Sequence, residues 1–457
     1  MAKLSIKQLR DFPSVEEILQ EKKIISVIES MPRPIVVSII REVIGDLKLE
    51  IEKKKEILFA DLMHKIINQL NFWKRKEISS VVNATGIVVH TNLGRAPLSE
   101  TLFDEIKKHV TGYGNIEFDN QTGKRGKRGE ACEKYLATLA KSESATVVNN
   151  CASALFLILN TFANRKNVIL SRGELVQIGG GFRIPGILKK SGAKLSEIGT
   201  TNITIKDDYE NAIDSKTGLI LKVHQSNFKQ AGFVEETSIQ ELVSLGKEHK
   251  IPIVNDLGSG VFISTKEILG YNEPTVQQSV KQGADITCFS GDKMLGGCQA
   301  GLIVGQKEYI DKIKKNPLFR TMRVDKIVYS ILEKLLTIYL NDNYKTDVKL
   351  WSILSTPESL LYKRGKAILK SLSNHEGLTV EASKAFVGGG ALPESEIPSV
   401  AITFNDKFNP NKLLRKFREL ATPIIGRIED GRFMIDLKAV DESELSYLAN
   451  AIKKIIE

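Results

Sequence analysis

The sequence predicts an α/β protein whose main domain is a mostly parallel sheet covered by helices on both faces. Three observations predict it. Seven short apolar runs, at 145–148, 168–171, 194–198, 219–223, 251–255, 286–289 and 301–304, have the length of buried strands. Most are separated by helix-length amphipathic segments, the alternation that builds parallel sheets. Two of them lead directly into residues that carry chemistry, Asp256 and Lys293.

The run 286–289 stops at Ser290-Gly291-Asp292-Lys293, with Gly296-Gly297 just beyond, so a lysine is delivered at a strand end. In open α/β sheets ligands bind beyond the carboxyl ends of the strands. An ammonium partly withdrawn from water loses its proton more readily, and the neutral amine condenses with an aldehyde cofactor, pyridoxal phosphate being the leading candidate. Taken alone, the stretch also fits a surface lysine in a turn. The run 251–255 leads into Asp256, followed by Leu257-Gly258-Ser259-Gly260, with room for one helix and one strand before the lysine. A carboxylate against the pyridine nitrogen keeps it protonated, so that the ring accepts the electrons of a broken Cα bond. A strand-end Asp is also a common turn residue, but acid and lysine in this order favour the cofactor.

Other stretches fit the same pocket. Asn149-Asn150-Cys151-Ala152-Ser153-Ala154 joins the run 145–148 to an apolar helix, whose first N–H groups, with Ser153 and the Asn side chains, suit a cofactor phosphate. Ser290 would add a hydroxyl, although ordinary N-capping accounts for the same residues. His224, after the run 219–223, would face the cofactor ring or donate to its oxygen; a structural histidine is the alternative. The other histidines show no metal spacing and no H-E-x-x-H, which argues against a metalloenzyme. Arg320 and Arg323 share a face if helical and, with Arg95, would grip a phosphate-like oxyanion. Surface arginines are the commoner explanation of such a pair.

The 457 residues suffice for two or three packed domains. A net charge of +10 is compatible with an anionic partner, nucleic acid first, and equally with a basic enzyme that touches none. No apolar run approaches about 20 residues and the N-terminus lacks a signal-peptide core, so a cytoplasmic protein without a membrane span is expected. The four cysteines lack C-x-x-C spacing, against both a disulfide framework and a zinc site. Residues 1–80 read as a helical domain, with apolar Val15, Ile18, Leu19 and Ile40, Val43, Ile44, Leu47, Leu49 at helical steps and breaks at Pro13, Pro32 and Pro34. Residues 81–342 form the large domain, whose glycine-rich stretch 122–129 reads as irregular. A helical region from 324 to about 373 leads out of it. Residues 343–457 read as a small α+β domain with a hairpin at Ile428-Glu429-Asp430-Gly431-Arg432-Phe433 and a closing helix after Asp441. Gly388-Gly389-Gly390 is expected to be a flexible loop, and no glycine cluster matches a dinucleotide or Walker A motif.

Taken together, the motifs resemble the bacterial selenocysteine synthases, the L-seryl-tRNA(Sec) selenium transferases. The matching stretches include Asn83-Ala84-Thr85-Gly86, His90-Thr91-Asn92-Leu93-Gly94-Arg95-Ala96, Ser171-Arg172-Gly173-Glu174, Phe182-Arg183-Ile184-Pro185, Asp256-Leu257-Gly258-Ser259-Gly260, Phe289-Ser290-Gly291-Asp292-Lys293, Arg323-Val324-Asp325-Lys326 and Ile425-Gly426-Arg427. They run along essentially the whole chain. The resemblance implies an aspartate-aminotransferase-like (fold type I) pyridoxal-phosphate enzyme, assembled as a ring of dimers, a decamer by resemblance, with an N-terminal domain that engages tRNA. It further implies that Lys293 holds the cofactor, that Asp292 matters for catalysis, and that Arg95, Arg320 and Arg323 bind the selenium donor. The chain departs from the family pattern at Cys151 and Ser153 (family Asn-Asn-Asn-Ala-Ala), Cys298, Gln177, Gly186, Ile203 and Ile205.

The activity implied is a β-replacement on serine esterified to tRNA(Sec): the β-hydroxyl is lost and selenium from selenophosphate adds at Cβ. The alternatives are a related pyridoxal-phosphate lyase or transaminase of a small amino compound, which has little need of residues 1–80, and a non-catalytic tRNA-binding protein, which has no need of Lys293.

Overall fold

The computed structural model describes residues 5–53, 56–178, 181–225, 228, 230–372, 376–389 and 395–456. His375 and Gly390, and with Gly390 the end of the expected glycine loop, lie outside them. The chain divides into two compact units, Met1–Ser80 and Val81–Glu457.

The first unit is helical: α1 (Val15–Leu19), α2 (Lys22–Ile28), α3 (Arg33–Glu52) and α4 (Phe59–Lys74). Ser14 starts α1 through a capping box, its hydroxyl accepting from the Glu17 N–H while the Glu17 carboxylate accepts from its own N–H at 2.7 Å. Pro32 at the cap and Pro34 in the first turn set the start of α3. Ile40, Ile44, Leu47 and Ile51 of α3 pack with Leu62, Ile66 and Leu70 of α4. Leu49 does not join them and is 58% exposed, because two residues beyond Leu47 the side chain has turned to the opposite side. Ser5–Ile6 pairs antiparallel with Ile57–Leu58, a ribbon too short to leave any alternation in the sequence.

The second unit contains a seven-stranded sheet: β1 (Ser144–Val148), β2 (Asn167–Ser171), β3 (Lys194–Ile198), β4 (Thr217–Val223), β5 (Ile253–Gly258), β6 (Ile286–Ser290) and β7 (Gly301–Gly305), in the order β3-β2-β4-β5-β6-β7-β1. These are the seven apolar runs. The first five strands of that order are parallel, and β7 runs antiparallel to both β6 and β1. Every residue of β6 and β7 is buried, because both faces of the sheet are covered. On one face Val147, Phe289 and Leu302 pack under α5 (Glu100–Thr111), α6 (Glu130–Ala140) and α8 (Lys326–Leu340). On the other, Val148, Cys288 and Ile303 pack with α7 (Cys151–Ala163). The stretch 122–129 is less irregular than its glycines predict, since Lys124–Arg125 pairs with Phe118–Asp119.

A second sheet holds β8 (Leu378–Gly388), β9 (Glu396–Phe404), β10 (Arg427–Glu429) and β11 (Arg432–Asp436), in the order β10-β11-β9-β8, with Ile87–Val89 added parallel to β8. β10 and β11 form the expected hairpin: Asp430 and Gly431 both have positive φ, 49° and 75°, as a two-residue turn requires. Phe404, Phe433 and Ile435 bury against Leu361, Phe417 and Leu448 of the helices Glu358–Ser371, Pro410–Arg418 and Leu445–Ile456. Arg427 fastens this sheet to the start of the unit, donating to the Thr85 carbonyl at 2.8 Å and to the buried Asp436 carboxylate at 3.0 Å.

Candidate active site

Lys293 and Asp292 lie in a tight return between β6 and β7. The Gly291 N–H donates to the Ala300 carbonyl, Gly297 to Gly291 and Gly296 to Lys293, each at 2.9 Å, and Met294 donates to Ser259 at 3.0 Å. Lys293 is 7% exposed and Asp292 6%, so both charged groups are held in the interior. Asp292 accepts from Arg95 at 2.7 Å through one carboxylate oxygen, while its Oδ1 has no partner. Arg95 is fixed in turn by its N–H to the His90 carbonyl at 2.9 Å, with a left-handed φ of 67°.

Asp256 projects from β5, next to Cys288 of β6 in register. Burial pushes its carboxyl above the ordinary range; the Lys293 ammonium, the Cys151 and Cys288 thiols and the Gly258 N–H pull it back in part. The Cys151 thiol lies 3.6 Å from Asp256 Oδ1. The ligand-capable atoms of Cys151, Asp256 and Cys288 all fall within 4.8 Å of one another, a convergence that chain spacing does not disclose. All four cysteines are free thiols.

His224 follows β4, and its N–H donates to the Asp256 carbonyl at 2.9 Å. Burial pushes its imidazole down to about 4, with Lys293 and Lys222 acting the same way and Glu236 against them. Its Nδ1 lies 3.7 Å from Oε1 of Glu273, a buried carboxyl that burial pushes up to about 7. Glu273 escaped sequence reasoning, since it sits in a turn with no motif around it. Sequence reasoning also missed the ion pair, 2.7 Å long and largely buried, between Lys222 of β4 and Glu174, since its members lie 48 residues apart.

Asn150 caps α7, its side-chain oxygen accepting from the Ser153 N–H at 2.8 Å. The cap thus uses Asn150 and one donor of Ser153. Among the described residues the N–H groups of Cys151 and Ala152 have no protein acceptor and remain for a ligand. Ser290, 5% exposed, closes β6. Gly301 of β7 makes the close approach possible, since a Cβ there would stand 2.1 Å from the Asn150 carbonyl oxygen. Arg320 lies in a 3-10 helix, Pro317–Met322, and Arg323 just after it; both are exposed. The Asn149 N–H donates to the Met322 carbonyl at 3.0 Å, which ties that segment to the start of α7. Among the described residues no hydrogen bond or ion pair joins Arg320 or Arg323 to Arg95 or to any acid.

Residues 81–441 match the family L-seryl-tRNA selenium transferase, and residues 9–47 match the family described as selenocysteine synthase N terminal. The chain belongs to the L-seryl-tRNA selenium transferase family. It is 42% identical over 456 residues to the L-seryl-tRNA(Sec) selenium transferase of Caldanaerobacter subterraneus, covering 98% of each chain. It is 40% identical over 452 residues to that of Aquifex aeolicus, covering 98% of this chain and 99% of the relative. Among solved structures, a D-glucosaminate-6-phosphate ammonia-lyase superposes with a TM-score of 0.59 at 18% identity, covering 84% of this chain and 98% of the other, a likeness of fold. This member of the selenium transferase family therefore has the aspartate-aminotransferase-like architecture that its motifs implied. Among its described residues no helix is long and apolar enough to cross a membrane.

Proposed function

We propose that the chain converts L-seryl-tRNA(Sec) to L-selenocysteinyl-tRNA(Sec), with pyridoxal phosphate as cofactor and selenophosphate as selenium donor. The observation that carries this reading is the buried Lys293 within electrostatic reach of Asp256 on the neighbouring strand, in a chain that aligns end to end with transferases of that name. The pocket fits the cofactor's polar groups. Asp256 is a carboxylate whose charge burial leaves poorly solvated, so a pyridinium beside it would stabilise it. The unused N–H groups of Cys151 and Ala152, with the Ser153 and Ser290 hydroxyls, suit its phosphate.

When bound, pyridoxal phosphate supplies a sink for the electrons of the bond broken at Cα. Lys293 would hold the cofactor through Nζ, and as a free amine its Nζ would take the Cα proton. Asp256 would keep the ring nitrogen protonated, and His224 would face the ring or donate to its oxygen. Asp292 aims Arg95, which with Arg320 and Arg323 holds the selenium donor, an oxyanion shaped like phosphate. The helical unit 1–80 engages the tRNA, and the net charge of +10 on the whole chain is compatible with such an anionic partner. The protein works in the cytoplasm as a ring of dimers, a decamer by family resemblance.

The test is to incubate purified protein with selenophosphate and seryl-tRNA(Sec), with seryl-tRNA(Ser) and free serine as controls, and to identify the amino acid released by deacylation. Selenocysteine from tRNA(Sec) alone is the expected result. Turnover of free serine, or none with tRNA(Sec), overturns the reading.

A further inference from the structure

Two buried polar atoms that face each other, His224 Nδ1 and Glu273 Oε1, have no hydrogen-bond partner. Unmet buried groups are costly, and one proton between them removes the cost to both. Glu273 is 2% exposed and its turn is pinned by its own N–H, which donates to Thr265 Oγ1 at 2.9 Å. The Ser259 hydroxyl stands beside the carboxyl, and Ser259 also accepts from the Met294 N–H, next to Lys293. The pair is thus built onto the same turn that carries the proposed cofactor lysine.

We propose that Glu273 is a positioning residue that carries the shared proton as a neutral carboxylic acid and donates it to His224 Nδ1, so that His224 presents an N–H at Nε2 to the cofactor pocket. A neutral imidazole has one donor and one acceptor, so occupying Nδ1 as acceptor fixes the hydrogen on Nε2. The inference deepens the functional reading above and rests on it only for what that N–H donates to. It runs against the ordinary expectation of an ionised glutamate pairing with a histidinium.

Burial favours the neutral pair, against the Ser259 hydroxyl and the Lys293 ammonium, which pull the Glu273 carboxyl back in part. Burial raises the Glu273 carboxyl and lowers the His224 imidazole, so the carboxylate–imidazolium form is disfavoured from both sides. Lys222, on the strand before His224, is already held by Glu174 at 2.7 Å and Glu236 at 2.9 Å. Lys293 acts on both members from the β6 turn, and Asp256 is the neighbour on β5. Besides Lys222 and Glu236, Tyr271 and Glu396 are the titratable residues lining the cavity of about 1040 Å³ to which His224 and Glu273 contribute.

The proposal predicts that at pH 6 the cofactor-free protein has a carboxylic-acid C=O infrared band that disappears on titration through neutrality and is absent in Glu273→Gln. Asp256, also raised, is told apart by Asp256→Asn, in which the band persists. Ring-labelled histidine bands in the wild-type chain report the Nε2–H tautomer without any substitution. In the loaded enzyme, kcat and the visible absorbance of the cofactor should share an alkaline limb near pH 7. Glu273→Ala should lower kcat roughly tenfold, while Glu273→Gln, whose amide still donates, restores most of it and removes the limb. A wild-type chain without the band, a band that survives Glu273→Gln, an Nδ1–H tautomer, or a limb that persists in the Gln variant overturns the proposal. Failure to make selenocysteine would leave the infrared result standing and overturn only the functional reading.

Discussion

The two halves of the candidate site are held in different ways. Asp256 on β5, His224 just past β4 and Lys293 in the return after β6 are each held by backbone hydrogen bonds, His224 to the Asp256 carbonyl and the lysine turn to Ser259, so their backbone places are set by one sheet. Arg320 and Arg323 ride on an exposed 3-10 turn, anchored by the Met322 carbonyl and not by their guanidinium groups. Arg95 joins the buried half through its ion pair with Asp292, and the Asn149 N–H to the Met322 carbonyl ties the arginine segment to the start of α7. In the proposed function the buried half is preorganised for chemistry, whereas the exposed arginine half would take its final arrangement from the selenium donor.

Substitutions should separate the halves by size and kind of effect. Lys293→Ala should lower turnover at least about 1000-fold and abolish borohydride-trappable cofactor; normal turnover by this variant would sink the assignment. Asp256→Asn should lower kcat by roughly 100-fold or more while the cofactor still binds, read by single-turnover kinetics. Arg323→Ala should act mainly on KM for the selenium donor, about tenfold, with a reduced dependence on salt. If it instead lowered kcat as much as Asp256→Asn, the distinction drawn above would fail.

The smallest effect concerns pH and stability. Glu273 titrates higher in the folded protein, about 7 against an ordinary 4.5, so its contribution to stability is full below 4.5 and is lost as pH rises through 7. His224 titrates lower, about 4 against 6.5, so its contribution is full above 6.5 and is lost as pH falls through 4. The Tm of the cofactor-free protein should therefore crest in the mildly acidic range and fall by a few degrees, roughly, to either side. Glu273→Gln should flatten the alkaline side alone.

Much of this was legible in the residues. The inner strands of the large sheet showed as apolar runs because they are buried on both faces, where composition alone marks a strand, while the edge strand β3 is only partly buried. The place of Lys293 just past a strand was legible, whereas Asp256, expected just beyond its strand, lies within β5, which runs on to Gly258. The pairing of His224 with Glu273, and of Cys151 and Cys288 with Asp256, was not, since each joins residues from different crossovers. Nor was the role of Ile87–Val89, whose apolar residues fit a strand in either sheet and whose partner lies far along the chain.

That distant partner has a consequence for how the protein is made. Ile87–Val89 pairs with β8, and Val82–Asn83 with Ile424–Ile425, so the first strands of the second unit emerge from the ribosome long before the chain that completes them. At about 5–20 residues per second the interval is on the order of tens of seconds. For that time the nascent chain displays unsatisfied strand edges, a window in which a chaperone binds them or a neighbouring nascent copy does.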